Sequence, residues 1–454
     1  MSDHIDWPLP PDLEFIIIDH FLHDKPTLAA CSLVCSRWLP PSRRHLFHAI
    51  TIKPRKDLSP DRMADFLRAL EDSDEGKPEW AIRMHIKKIT LDGSFWEPDT
   101  VVPTLTCPLN FLCGVLSRLP QLASLCVIKL LMPDDLSQES DPPRFELDEL
   151  IVHSCYSRSH DDPRHLFALL GTFSSIRSLA LINWWAWMRN ALPTSSLGAF
   201  SPPTLRSLTV ERIHHVVASA IYALLAKSPS LTNGTLTHVS VVALECEDLR
   251  AFSDFAKIAG PAFREVELRV DADVVGHLDL LRVISLATCT ALRSLVLCID
   301  CLFDDSAFMV DQHADTTRWA LHAYTQILYE HQSALSGLTA VRLEMQPVGS
   351  EMLAAFARVA RDTYRAWGED AVQGVPAEEA QQNRVVWVSL EDALCGFPAL
   401  ERVVLVLYER PKHNEILTEE GKVALRSALE GRLPRLWRSG IAQLVFETFV
   451  YRSG

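Results

Sequence analysis

A chain of 454 residues with 48% hydrophobic content can build a large core, as two ordinary domains or as one elongated one. Its formal charge of -14 excludes a typical nucleic-acid binder, which needs a concentrated Lys/Arg face; the one basic cluster, Lys53, Arg55 and Lys56, is short and reads as a solvated linker. Eleven cysteines and no N-terminal secretory pattern suit free thiols in a reducing compartment, cytoplasmic or nuclear, and no apolar run approaches the roughly eighteen residues of a membrane span, so the protein is expected to be soluble.

The first predicted elements lie in residues 9–47. Leu13, Ile16, Ile17 and Phe21 recur at the three-and-four spacing of an amphipathic helix, with Pro10, Pro11 and Asp12 at its start. Pro26 and Thr27 open a second pattern carrying Leu28, Cys31, Val34, Cys35 and Trp38. The pair Pro40-Pro41 is expected to turn the chain before a third short helix over 43–47. About 40 residues cannot usually bury enough surface to stand alone, so this unit is expected to lean on a partner. A strand over 49–52, a helix over 61–70 and an exposed acidic loop over 71–79 follow.

From Ile86 onward one pattern recurs: apolar, two others, apolar, one other, apolar. It occurs at Ile86/Ile89/Leu91, Leu122/Leu125/Val127, Leu147/Leu150/Val152, Ile176/Leu179/Leu181, Leu205/Leu208/Val210, Leu236/Val239/Val241, Phe263/Val266/Leu268 and Leu292/Leu295/Leu297. Three later copies follow at Leu338/Val341/Leu343, Leu400/Val403/Leu405 and Ile441/Leu444/Phe446. The first positions from 122 to 292 lie 25 to 31 residues apart, and wider gaps after that imply insertions. The last two apolar positions are two apart, so they share one side of a strand. Amphipathic helices are expected between strands over 163–173, 214–227, 248–259, 275–287, 317–331, 351–367 and 417–429. Segment 346–386 departs most: a helix and then a polar loop over 374–383, either an insertion across one sheet edge or a disordered linker. One strand with its helix cannot offset the backbone entropy of ordering some 29 residues, so neighbours must stack.

Leu9-Pro10, the Leu13/Ile16/Ile17 helix, the segment Cys31 to Trp38 (CSLVCSRW) and Leu46-Phe47 together resemble an F-box of the form common among fungal F-box-like proteins. The repeats are similar to leucine-rich repeats in their inward positions, though most lack the Asn or Cys that follows the strand in that family. The resemblance implies an α/β fold: a three-helix F-box over 1–48, then an irregular leucine-rich-repeat-like solenoid over 49–454, with parallel strands lining a curved sheet and helices outside. It implies a non-enzymatic substrate adaptor of a cullin-based SCF-type ubiquitin ligase. Leu9, Pro10, Leu13, Ile16, Ile17, Val34, Cys35 and Trp38 would then face the ligase adaptor protein, the cullin scaffold would join through it, and the repeats would bind a target protein. The other reading of residues 9–47 is a helical cap on a repeat scaffold outside any ligase.

Trp184, Trp185 and Trp187 directly follow a predicted strand and are the candidate target-contacting anchors; the alternative is that they pack beneath their loop. His153, Cys155, His160, Asp161, Asp162 and His165 gather metal-capable groups without paired zinc spacings, so a polar loop is expected and no metal. Cys289, Cys298 and Cys301 read as core thiols. Asn233-Gly234-Thr235 reads as a tight turn. No phosphate loop, Gly-x-Ser-x-Gly or His-Glu-x-x-His motif occurs, which leaves only a spatially assembled hydrolase site as an enzymatic alternative, and no cofactor is expected.

Overall fold

The computed structural model describes residues 10–53, 62–72, 82–94, 107–132, 144–157, 163–184, 200–271, 283–300, 310–346, 377–409 and 419–448. Two compact units emerge: Met1–Arg189 with Phe200–Pro203, and Asn190–Ala199 with Thr204–Gly454. The N-terminal helices therefore share a unit with the first repeats.

In the first unit three helices, α1 (Pro11–His20), α2 (Lys25–Val34) and α3 (Leu39–Leu46), lead straight into β1 (Ala49–Ile52). Pro40-Pro41 does not stop a helix here but opens α3, because the first helical positions need no N–H donor and favour the fixed φ of proline. β1 pairs in parallel with β2 (Lys88–Asp92), followed by β3 (Ser124–Ile128), β5 (Phe145–His153) and β7 (Phe173–Ile182); β4 (Leu131–Met132) and β6 (Tyr156–Ser157) form a separate short parallel pair. The expected strand side holds in register: Ile50, Ile89, Leu125, Leu150 and Leu179 lie in one row, with Ile52, Leu91, Val127, Val152 and Leu181 in the next. Helices α4 (Arg62–Asp72), α5 (Leu109–Arg118) and α6 (Arg164–Gly171) lie between strands. The repeat pattern had not marked α5, which buries Leu112, Val115 and Leu116.

Among the described residues the second unit repeats the scheme with seven parallel strands: β8 (Thr204–Glu211), β9 (His238–Ala243), β10 (Glu265–Asp271), β11 (Ser294–Asp300), β12 (Ala340–Gln346), β13 (Arg402–Glu409) and β14 (Ala442–Thr448). Leu208, Val239, Val266, Leu295, Val341 and Val403 align, but β14 does not follow. Leu444 pairs with Leu405 and Phe446 with Leu407, a shift of two residues from the expected alignment. The run Leu444, Val445, Phe446 satisfies either register locally, and pairing with β13 selects one.

Helices α7 (His215–Leu225), α8 (Pro229–Thr232), α9 (Cys246–Ala259), α10 (Val310–His331), α11 (Ala377–Cys395), α12 (Glu419–Arg432) and α13 (Pro434–Arg438) lie between these strands. Helix α11 replaces most of the expected 374–383 loop: although its first turns are polar, its later part buries Trp387, Leu390, Ala393 and Leu394. The expected helix over 351–367 lies outside the described residues, as do most of the proposed 346–386 insertion and residues 275–282 of another expected helix.

Backbone bonds make the repeat more regular than its side chains do. At strand starts, one carbonyl accepts two successive N–H groups from the next strand: His48 from Lys87 (3.0 Å) and Lys88 (2.9 Å), Ala123 from Asp148 and Glu149 (both 2.9 Å), and Thr237 from Arg264 (2.8 Å) and Glu265 (3.0 Å). Just past the strands, Lys129, Ser154, Asn183 and Arg212 all have φ near +50°. Left-handed backbone costs about 1–2 kcal/mol for such residues, yet the ladder continues through it. Lys129 N–H donates to the His153 carbonyl and Ser154 N–H to that of Ile182, both at 2.9 Å. Backbone groups thus satisfy one another through these turns. The turn also reverses facing, so the next residues, Leu130, Cys155, Trp184 and Ile213, all point into the core.

Candidate partner-docking surface

Helices α1–α3 are too small to bury both a core and all their apolar residues. The run Phe15-Ile16-Ile17-Ile18 turns through most of the helix circumference, so these four side chains cannot all face inward. Ile18 is fully buried, with Leu28, Cys31 and Pro41. Glu14 is also buried, and its Oε1 lies 3.2 Å from Nη2 of Arg37, just after α2. A second tie runs from Asp19 Oδ1 on α1 to His45 Nε2 on α3, at 2.5 Å. The start of α2 is closed by Asp24, which accepts from Thr27 N–H (3.1 Å) and the Thr27 hydroxyl (2.7 Å); this side-chain bond holds its carboxyl below the usual range.

These two ties hold α1 with Glu14 and Ile18 turned inward and Leu13 and Ile16 toward solvent. Leu13, Phe15, Ile16 and Leu22 are exposed on or just after α1, Ile16 at 63%, while on α2 Leu33 and Val34 reach 86% and 57%. These six are half of the twelve large hydrophobic side chains exposed among the described residues, concentrated in one short segment. Isolated exposed hydrophobes are ordinary on a protein surface, whereas this concentration on α1 and α2 makes them the candidate interaction residues.

Of the expected adaptor-facing residues, Pro10, Leu13, Ile16, Val34 and Cys35 are exposed, Ile17 and Trp38 are half-buried, and Leu9 lies outside the described residues. The single stripe expected from Leu13 through Phe21 is split, with Leu13 and Ile16 on the solvent side. Phe15, Leu22 and Leu33 lie outside the expected adaptor-facing set. For Phe15 the signal was present in the four-residue apolar run, which must expose some of its members.

Trp184 follows the alternative of packing beneath its loop. Trp184 is only 1% exposed, because the left-handed turn at Asn183 swings it into the core; Trp185 and Trp187 lie outside the described residues. Of the metal-capable groups around this turn, where a polar loop and no metal were expected, the structure describes His153, Cys155 and His165. Cys155 is fully buried, its thiol pushed up to about 12 by burial, with Sγ 3.5 Å from the Val127 and His153 carbonyls. His165 is buried on α6, and His160, Asp161 and Asp162 lie outside the described residues. Among the described residues no three or more His, Cys, Asp or Glu side chains are placed to hold a metal. Cys289 and Cys298 are buried, the former pushed up to about 12 by burial, while Cys301 lies outside the described residues.

A charged network has no linear signature in the sequence because its members lie on separate repeats. On the sheet face opposite the Val266/Leu268 row, Arg269 Nε lies 2.6 Å from Glu267 Oε1, and Arg342 Nε lies 2.5 Å from Glu344 Oε1. Arg269 Nη2 reaches Glu344 Oε2 at 3.7 Å, and Arg342 Nη2 reaches Glu447 Oε2 at 2.9 Å and the Tyr408 hydroxyl at 3.4 Å. Between them β11 carries Val296 and Cys298 in the same rows, short enough for long side chains from β10 and β12 to meet above it. Burial opposes the charge on Arg269, but its neighbours, Glu267 foremost and Glu344 with it, together outweigh burial and raise the guanidinium above its usual value; burial pushes Tyr408 up to about 12. The network joins β10, β12, β13 and β14 without a nucleophile or an acid–base pair poised for catalysis.

No protein-family model matches the sequence, and no curated protein sequence matches it. Among solved structures, the crystal structure of the Rad7 and Elc1 complex in yeast is similar at 12% identity and a TM-score of 0.26, covering 73% of this chain and 88% of that one. A likeness this distant leaves the α/β parallel-strand repeat to stand on the pairing described above.

Proposed function

We propose that this chain is a substrate-recruiting adaptor of a cullin-based, SCF-type ubiquitin ligase. Helices α1–α3 dock on the ligase adaptor protein, which connects to the cullin, and the repeats bind a target protein. The observation that carries this reading is the exposure of Leu13, Ile16 and Val34, apolar side chains at positions the F-box resemblance gives to adaptor contact. Covering the part of each such side chain that is still exposed contributes on the order of 1 kcal/mol. The protein itself performs no bond chemistry and needs no cofactor in this role. It holds target lysines at high effective concentration beside a ubiquitin-charged enzyme, in the cytoplasm or nucleus.

The test is co-purification of the tagged full-length chain from cells. Recovery of the ligase adaptor and cullin, lost with the double variant Ile16→Asp/Val34→Asp, is expected. Absence of both proteins from the wild-type eluate, or equal recovery by the variant, would replace this reading with a repeat scaffold outside the ligase.

A further inference from the structure

The outermost strands of the two units end differently. β1 is four residues long, and Lys25 Nζ lies 3.4 Å from the Ala49 carbonyl. Because the His48 carbonyl turns toward β2, that of Ala49 turns away, so the lysine sits on the open side of β1. β14 is the last strand in the sheet order and has seven residues, AQLVFET, with neither proline nor lysine. Its one charged residue, Glu447, is drawn along the sheet toward Arg342. Among the described residues no strand pairs with its outer side.

The direction of its peptide groups follows from the β13 pairing. Val403 is opposite Ala442 and donates its N–H to the Ile441 carbonyl at 2.8 Å. In a parallel ladder the residues on alternate positions point the same way, so Ile441, Gln443, Val445 and Glu447 turn toward β13. Ala442, Leu444, Phe446 and Thr448 present their N–H and C=O groups outward. That outward set is symmetric about Val445. We propose that β14 pairs with β14 of a second copy of this chain, antiparallel and centred on Val445.

In that register Leu444 meets Phe446 of the second copy and Ala442 meets its Thr448, each pair exchanging two backbone bonds as outward-facing residues of antiparallel strands do. Leu444 and Phe446 lie on the face that continues the Leu405/Leu407 row, so apolar meets apolar. On the other face Gln443 is opposite Glu447, and no like charges meet. Val445 faces its own copy across the two-fold axis as a non-bonded pair with Cα atoms about 4.5 Å apart, within the roughly 4.4–6.8 Å that a disulfide bridges. Pairing along one strand is a small contact, in the transient class below about 1,200 Å².

The experiment uses the full-length chain. Light scattering after size exclusion, at concentrations on the order of 100 µM where micromolar contacts fill, is expected to show a concentration-dependent dimer. Val445→Cys, mildly oxidised, should give a covalent dimer well above the wild-type background from exposed Cys35 and Cys395. Gln443→Cys should not, since the residue opposite it is Glu447. Ala442→Pro removes an outward N–H and leaves the β13 ladder intact, so the dimer Kd should rise about tenfold or more. Val445→Lys, which sets two ammonium groups opposite each other, is the second disrupting variant should the proline variant fail to fold by circular dichroism. A chain that stays monomeric, cross-linking of the Gln443→Cys variant as readily as of Val445→Cys, or a dimer unchanged in a folded disrupting variant would each overturn the proposal.

Discussion

Replacing Trp184 by alanine tests the most consequential departure from the surface expected after β7. Left-handed Asn183 turns Trp184 into the position held by Leu130 and Cys155 in neighbouring repeats, and the side chain is 1% exposed. The backbone on either side is held in the ladder, Ser154 N–H to the Ile182 carbonyl among its bonds, so the vacated space can collapse only in part. Deleting a buried large aromatic under those conditions costs about 3–5 kcal/mol, and Trp184→Phe, which keeps most of the buried ring, should cost less than half of that. Urea denaturation followed by far-ultraviolet circular dichroism measures both without relying on the indole signal. If the alanine variant unfolds within about 0.5 kcal/mol of wild type, the side chain is not the core residue described here. If it also loses target binding, the tryptophan is a surface anchor after all.

Other expectations rest on single contacts. Glu391 on α11 accepts from the N–H groups of Arg435 (2.6 Å) and Leu436 (3.1 Å), closing the start of α13. Glu391→Ala leaves those donors unmet at about 1–3 kcal/mol, and hydrogen exchange at the two amides should accelerate; unchanged protection there would refute the cap. Burial raises Asp248 from its usual 3.8 to about 6, against the N–H groups of Glu245 and Leu244 that donate to it. The folded chain therefore holds this proton more tightly than the unfolded one. Its contribution is most favourable below about pH 4 and falls as pH rises through 6, by up to about 3 kcal/mol, and Asp248→Asn should abolish that part of the pH profile. At Gly93 an added Cβ would strike the Lys129 carbonyl oxygen, whereas at Gly171 it meets nothing within 4 Å. Gly93→Ala should lower the melting temperature and Gly171→Ala, in a helix, should stabilise by up to about 1 kcal/mol; the reverse order would contradict the packing.

The strands were legible because burial on one face repeats every second residue, and Leu125/Val127 or Leu295/Leu297 carry that signal locally. What escaped depends on contacts distant in sequence. The rotation of α1 is set by Glu14 meeting Arg37 and Asp19 meeting His45, so the helical spacing of Leu13, Ile16, Ile17 and Phe21 could not tell which side faced solvent. Trp184 looked exposed because a strand ends before it, yet the residue that decides its direction is the left-handed Asn183. Helix α11 was hidden by its polar first half, and the β14 register by an apolar run that fits two alignments. The Glu267, Arg269, Arg342, Glu344 and Glu447 network spans separate repeats and has no linear spacing to detect.

The central claim is that the exposed apolar side chains of α1 and α2 dock on the ligase adaptor, and calorimetric titration of the purified chain with the purified ligase adaptor tests it most directly. One-to-one binding is expected, weakened at least about tenfold by Ile16→Asp while the melting temperature of the chain stays unchanged, since Ile16 is exposed. No heat of binding with the wild-type chain, or equal affinity for the Ile16→Asp variant, would contradict it.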